Sequence, residues 1–482
     1  MLKINLAAAL VAISCLYLQA QEHDTLQIGI HQAESRFYSQ IIDKSFFDDN
    51  ILPVAPSVLK SKAAVPLTHK VYGWHPYWAS SSAFLSYDYS ALTHIAYFSY
   101  EVDTATGGYT TLRGWNTTPV IDYAHQRGVK VTLTVTNFGA ARNTKILSDT
   151  VKQRFLLTTV VQQLKSRNGD GVNFDFETVP ATQRANMVDF CRRAVRMIKK
   201  ELPAAEISLA TPAIDWSSAW DYASLAEICD YLIIMGYNYY WSGSSTAGPV
   251  APLTGEAQNV TRSIDTYLNA GVPPEKLMLG VPWYGHDWPV VSSVRKAATT
   301  GTGTSRIYSA ADELAELHGR EFDQATGVPW VSYLSGTVWR QLWYDDSVSL
   351  SLKYDLVKTK NLAGIGIWAL SYEGSGTGLW GSIKSSYSSE VPALCRIISI
   401  NPNPVSDVSV IRYSVPAREH VTLKVFDSSG NLKAILADRV AEPGYYDQDI
   451  NSAGLSTGIY ICVLETQSGR SSYKIAVFRG NR

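Results

Sequence analysis

Cysteine is scarce in this chain of 482 residues: 5 in all. One of them, Cys15, falls inside an apolar leader; the other four, Cys191, Cys229, Cys395 and Cys462, are widely spaced. That spacing excludes a disulfide framework and a cysteine metal site, and predicts buried free thiols. An excess of one charge is also missing, since 42 basic residues face 43 acidic ones for a net charge of −1. No nucleic acid and no anionic membrane surface is expected as a partner. Past the amino terminus there is no apolar run of about 18 residues, so no membrane span is expected. Met1–Ala20, with Lys3 ahead of the Leu6–Leu18 run, reads as a secretory signal peptide cut after Ala20; lipid anchoring at Cys15 is the weaker alternative. There is no internal repeat and no long low-complexity segment. Aromatics are plentiful, with 13 Trp and 28 Tyr. Such rings suit the apolar faces of sugars, although large cores use them too.

The order of apolar runs sets the architecture. After a polar lead-in over 21–67, with a helical candidate at about Ser35–Phe46, strand-like runs alternate with helical stretches. The runs are Val71–Trp74, Leu92–Tyr100, Lys130–Thr136, Gly171–Phe176, Ile207–Pro212, Tyr231–Tyr237, Leu277–Pro282 and Gly364–Ala369. Eight βα units of this kind predict an α/β TIM barrel over 68–388. Pro289–Asp355 reads as a small α+β insertion between the seventh and eighth strands, with strands at Val328–Leu334 and Val338–Tyr344. Residues 395–482 change to short strands with turn residues between them, a β-sandwich pattern.

Residues 170–177, Asp-Gly-Val-Asn-Phe-Asp-Phe-Glu, carry the chemistry. On a strand, Asn173, Asp175 and Glu177 share one face, with Phe174 and Phe176 on the other. Burying carboxylates without partners is costly, so this is a poor core. It is a good way to keep one carboxylic acid protonated beside a second carboxylate. Strands of a TIM barrel deliver their functional residues at their carboxyl ends. There the sequence places Trp74, His75 and Trp78, then Glu177, then Met235-Gly236-Tyr237-Asn238, then Trp283-Tyr284-Gly285-His286, and Trp368. A ring of aromatics around a carboxylate pair fits a polysaccharide cleft. His75 and His286 read as satisfied structural residues, and neither a metal nor a cofactor is expected.

The octet resembles the Asp-x-x-Asp-x-Asp-x-Glu signature of glycoside hydrolase family 18, the chitinase family, with Asn173 in place of the middle Asp. Met235–Asn238, with Asn238 replacing an Asp, resembles the family's Met-x-Tyr-Asp motif; Pro282–Gly285 and Gly364–Trp368 resemble two others. The resemblance covers about Lys70–Ser388. It implies a retaining, substrate-assisted hydrolase of β-1,4-linked N-acetylglucosamine polymers such as chitin or chitooligosaccharides. Glu177 would be the general acid, Asp175 would orient the acetamido group and Tyr237 would hold its oxygen. Trp368, Asn173, Asn238, Met235, Tyr284 and Trp78 would line the substrate site, with Asn173 and Asp170 holding Asp175. The Asn173 variant resembles a branch that includes spore-cortex enzymes, which makes a peptidoglycan N-acetylglucosaminidase the alternative. Action on N-linked glycoproteins and a catalytically silent glycan-binding barrel are further alternatives.

Asn401-Pro402-Asn403-Pro404-Val405, Phe426–Gly430, Gly458-Ile459-Tyr460 and Lys474 resemble the sorting domain of type IX secretion substrates from Bacteroidetes. That implies the type IX machinery as a partner and a secreted or outer-membrane-associated location; a monomer is expected.

Overall fold

The computed structural model describes residues 29–39, 67–374, 378–388, 394–405, 408–441 and 444–478. The expected signal peptide lies outside these residues, as do positions 40–46 of the expected lead-in helix. The described residues form two compact units, one holding 29–39 and 69–380, the other holding 67–68 and the residues from Gly381 onward.

In the first unit eight parallel strands close on themselves. They are β1 (Lys70–Pro76), β2 (His94–Val102), β3 (Lys130–Phe138), β4 (Gly171–Glu177), β5 (Glu206–Pro212), β6 (Tyr231–Met235), β7 (Leu277–Pro282) and β8 (Gly364–Trp368). Each pairs with the next, and β8 returns to β1 through Lys70↔Gly364 and Gly73↔Ile367. This is the expected barrel. The sixth strand is shorter than expected: it stops at Met235, where the Gly236 and Tyr237 amides turn back onto the Ile234 and Met235 carbonyls at 2.8 Å each.

Local signals set the entry into β4. The helix Thr150–Arg167 starts on Asp149, whose carboxylate accepts from the Val151 and Lys152 amides. It ends at Asn168 in the left-handed region (φ 53°), a residue type that tolerates that conformation, and the chain turns directly into the strand. The amphipathic helix Arg184–Glu201 then covers the outer face of β4. Its Phe190 ring lies 5.0 Å from Phe174 and 5.3 Å from Phe176.

The lobe between β7 and β8 begins earlier than expected. It starts at Tyr284 rather than near Pro289, because the chain leaves the barrel at Pro282 and Trp283 donates its amide to the Trp368 carbonyl at 2.7 Å. Five strands follow in the spatial order 304–307, 284–290, 338–344, 328–335 and 321–323, with the helix Tyr308–His318 on them. Asp346 and Ser349 form a capping box that starts helix Ser347–Thr359, which leads into β8.

The second unit holds a three-stranded and a four-stranded antiparallel sheet. They share a core of Ile411, Tyr413, Val421, Leu423, Val425, Cys462 and Leu464. Cys191, Cys229, Cys395 and Cys462 are buried and free. Among the described residues no helix is long and apolar enough to cross a membrane.

Candidate functional site

The inward face of β4 behaves as its alternation demands. Asn173, Asp175 and Glu177 all point into the barrel and are buried. Asn173 lies deepest: its Oδ1 accepts from Trp74 Nε1 at 3.1 Å and its amide donates to Ser208 Oγ at 2.9 Å. These partners correct one expectation, because neither is Asp175. Asp170 corrects another. It sits at the opposite end of the strand, where its carboxylate meets His125 Nε2 at 2.7 Å and the Val131 amide at 2.6 Å. A strand rises about 3.3 Å per residue, so a residue just ahead of β4 cannot reach a side chain near its carboxyl end.

Glu177 closes the strand. Its carbonyl is pinned by Gly139 N at 3.1 Å and Asn143 Nδ2 at 2.6 Å, and Thr178 follows with φ 57°. Burial, and then the charge of Asp175, push the Glu177 carboxyl up to about 8. A carboxylic acid in that state holds a proton at neutral pH. Across the barrel mouth Tyr237 is buried, its hydroxyl held well above its usual range by burial and by Asp175 and Glu177.

The other expected residues fall into two groups. Trp368 and Trp78 are both buried, and the Trp368 ring lies 6.1 Å from that of Trp78. Met235 lines the cleft beside Tyr237. Asn238 lines it as well, and its side chain engages Tyr284: Asn238, at φ 57°, accepts on Oδ1 from Tyr284 at 2.7 Å and meets His286 Nε2 at 3.0 Å. Burial drives His286 down to about 3 and His75 down to about 4, so both imidazoles are neutral. His75 is bonded to Tyr87 at 2.7 Å. A cleft of about 920 Å³ opens over Glu177 and is walled by Tyr237, Asp215, Trp216, Tyr240 and Trp241. Trp216 is 61% exposed, a ring presented to solvent at the rim.

Sequence reasoning missed a component of the site. The helix Ile30–Ser39, which overlaps the expected lead-in helix only from Ser35 onward, places His31 among the carboxylates. His31 Nδ1 lies 2.7 Å from Asp175 Oδ2, and Nε2 lies 2.8 Å from the Tyr237 hydroxyl. The imidazole stacks on Trp368, centroids 3.8 Å apart and planes 22° apart. The His31 amide donates to Glu177 Oε1 at 2.9 Å and the Gln32 amide to Oε2 at 3.3 Å. Burial alone would lower the His31 pKa, yet Asp175 and then Glu177 outweigh it and raise the value. His31, Asp175 and Glu177 offer ligand-type atoms within 4.8 Å of one another. At 2.7 Å, however, His31 and Asp175 stand at direct hydrogen-bond distance rather than spaced around an ion. No motif marks His31, because its contacts are with residues 144 and 206 positions away.

The profile described as "Glycosyl hydrolases family 18" matches residues 70–373, and that of the "Secretion system C-terminal sorting domain" matches 399–478. The cortical fragment-lytic enzyme of Bacillus anthracis is 26% identical over 298 residues, covering 58% of this chain and 65% of that protein. The chain thus spans slightly less than two thirds of that relative. Di-N-acetylchitobiase of Rattus norvegicus is 26% identical over 316 residues, covering 59% of this chain and 77% of the relative. A GH18 chitinase from Cycas revoluta, solved in complex with (GlcNAc)3, superimposes with a TM-score of 0.60 at 20% identity, covering 66% of this chain and 99% of that one.

Proposed function

The chain belongs to glycosyl hydrolase family 18 and carries a secretion system sorting domain, and from that membership and its cleft we propose a secreted or cell-surface retaining glycosidase. Its substrates are β-1,4-linked polymers containing N-acetylglucosamine. One observation carries the reading: two buried carboxyls, Asp175 and Glu177, end one barrel strand, and the Tyr237 hydroxyl faces Asp175 across the width of one five-membered ring, that of His31.

Glu177 donates its proton to the glycosidic oxygen, and its raised pKa keeps that proton available near neutrality. Asp175 does not attack the anomeric carbon. The substrate's own acetamido oxygen attacks instead, and Asp175 orients the acetamido N–H and balances the positive oxazolinium. Tyr237 holds the acetamido oxygen in line, which removes much of the entropic barrier. Trp368 supplies the flat floor under the distorted sugar. Trp216 and Trp241 offer stacking surface further along the cleft.

The first reading is chitin or chitooligosaccharides. Peptidoglycan glycan strands are a second reading, favoured by Asn173 and by the likeness to a cortical fragment-lytic enzyme. Product analysis on N-acetylglucosamine oligomers against purified peptidoglycan separates the two. Glu177→Gln is expected to keep the fold and lose turnover by several powers of ten on an unactivated substrate. Turnover within tenfold of the parent would overturn the assignment of the acid.

A further inference from the structure

The amino-terminal helix occupies the place the reacting sugar needs. Its seat is built from several independent contacts. The first-turn amides of a helix lack internal partners and carry partial positive charge. Here the amides of His31 and Gln32 give their hydrogens to the two oxygens of Glu177. Gly29 packs so closely that a Cβ there would fall 1.7 Å from Glu177 Oε2 and 2.7 Å from Glu177 Cβ. Further along, Ser35 Oγ meets the Tyr77 hydroxyl at 3.1 Å and Tyr38 meets Ser305 Oγ at 3.3 Å. The Tyr38 ring lies parallel to Trp78, 12° between planes. Glu34 is buried, although an unattached helix would leave it in water.

His31 repeats the contacts assigned above to the substrate's acetamido group. Its five-membered ring lies flat on Trp368, sets Nδ1 against Asp175, and meets the Tyr237 hydroxyl with its other nitrogen. An oxazoline is likewise a flat five-membered ring with a nitrogen for Asp175 and an oxygen near Tyr237. We propose that helix Ile30–Ser39 is an autoinhibitory plug in which His31 imitates the cyclised acetamido group, so that the full chain is latent until the helix leaves. The imitation of the acetamido group rests on the reading of the site given above. The occupation of Glu177 does not.

The consequence for activity is arithmetic. If the cleft is open a fraction f of the time, apparent affinity falls by 1/f, so a helix seated 99% of the time weakens binding about 100-fold. A tethered segment reaches such occupancy readily, because linkage gives it a local concentration on the order of millimolar.

The test uses the full chain with two variants, His31→Ala, which removes the imitating ring, and Gly29→Val, which drives a side chain into Glu177. Amide hydrogen exchange over residues 29–39 reads the seat, and a fluorogenic chitobioside reads turnover. The parent should show protected His31 and Gln32 amides, with protection falling at least tenfold in both variants. Both variants should also bind an N-acetylglucosamine tetramer at least tenfold more tightly by calorimetry and hydrolyse the chitobioside with a correspondingly lower KM. Freely exchanging amides in the parent would overturn the proposal, whatever the substrate. So would a His31→Ala variant that turns over more slowly than the parent, or a parent whose turnover is lost to EDTA, since His31 would then serve the chemistry or hold a metal. Protected amides that both variants release, with no hydrolysis or glycan binding in any form, would uphold the occupied seat and overturn the glycosidase reading instead.

Discussion

Asn173 is more than a neutral replacement for an aspartate. Its oxygen accepts from Trp74 and its amide donates to Ser208, so both ends are committed in a fully buried position. Asp175 lies two residues on, buried, with Oδ1 unpartnered among the described residues. Asn173→Asp would therefore place a second carboxyl in the same dry site, where like charge and burial raise at least one pKa. A raised carboxyl pKa favours folding at low pH and loses that contribution as pH rises through the folded value. The variant is expected to lose about 1–3 kcal/mol of stability at pH 8 and markedly less at pH 5, and to gain an extra step in the acidic limb of its pH–activity profile. Chemical denaturation at both pH values checks the first, and an equal loss at both would show that the new carboxyl does not titrate there. The inward face of β4 was legible because alternation is a short-range property: Phe174 and Phe176 could go only to Phe190's side, and the acids to the other. The partners of Asn173, and the role of Asp170, were not legible. They depend on which neighbouring strands bring Trp74, Ser208 and His125 alongside, which the octet does not encode.

The helix Ile30–Ser39 carries two groups whose protonation should set how firmly it sits. Burial pushes Glu34 up to about 7, against the hydrogen bonds of Ser305 and Tyr372. For His31, burial acts downward but Asp175 and Glu177 raise the value overall. The groups facing them are Asp175, Glu177, Tyr237, Tyr284, Tyr372 and Arg306, together with Tyr38 of the helix itself. Both shifts have the same sign. Seating is fully supported below the free values of these groups and weakens as pH rises through the bound ones, the window for Glu34 running from 4.5 to about 7. Amide exchange of residues 30–39, corrected for its intrinsic pH dependence, should show protection falling as pH rises from 4.5 to about 7, and Glu34→Gln should flatten that fall. Another element-level expectation concerns Gly280 on β7. A Cβ there would lie 2.4 Å from the Ile234 carbonyl and 3.1 Å from the Tyr237 ring. Gly280→Ala should cost about 1–3 kcal/mol by overpacking and raise KM more than Gly280→Ala-sized changes elsewhere in the barrel, because Tyr237 must move. Eight strands were readable from apolar runs bounded by helical stretches, because parallel strands covered on both sides are apolar throughout. The lobe's true start at Tyr284 was not, since Tyr-Gly-His-Asp-Trp carries no break from β7 in composition. The inhibitory helix was read only in part, because a polar lead-in shows an amphipathic stretch but not what its polar side meets.

At the scale of the whole molecule, the carboxyl-terminal unit has a core of its own, built from Val421, Leu423, Val425, Ile411 and Leu464. A chain ending at Ser388 is expected to fold with the parent's specific activity per open site and to fail to reach its native location. Loss of binding to insoluble glycan on truncation would instead mark residues 395–482 as a carbohydrate-binding module. The change from βα alternation to short strands made this division readable, because the two halves bury their surfaces in different periods. The central claim is that the acetamido group of the substrate does the work of a nucleophile over Asp175 and Glu177. The most direct measurement is proton NMR of freshly formed product, with the His31→Ala chain acting on an N-acetylglucosamine oligomer and on its fully deacetylated counterpart. The β anomer is expected to appear first from the acetylated oligomer, with no hydrolysis of the deacetylated one. First appearance of the α anomer, or comparable hydrolysis of both oligomers, would contradict it.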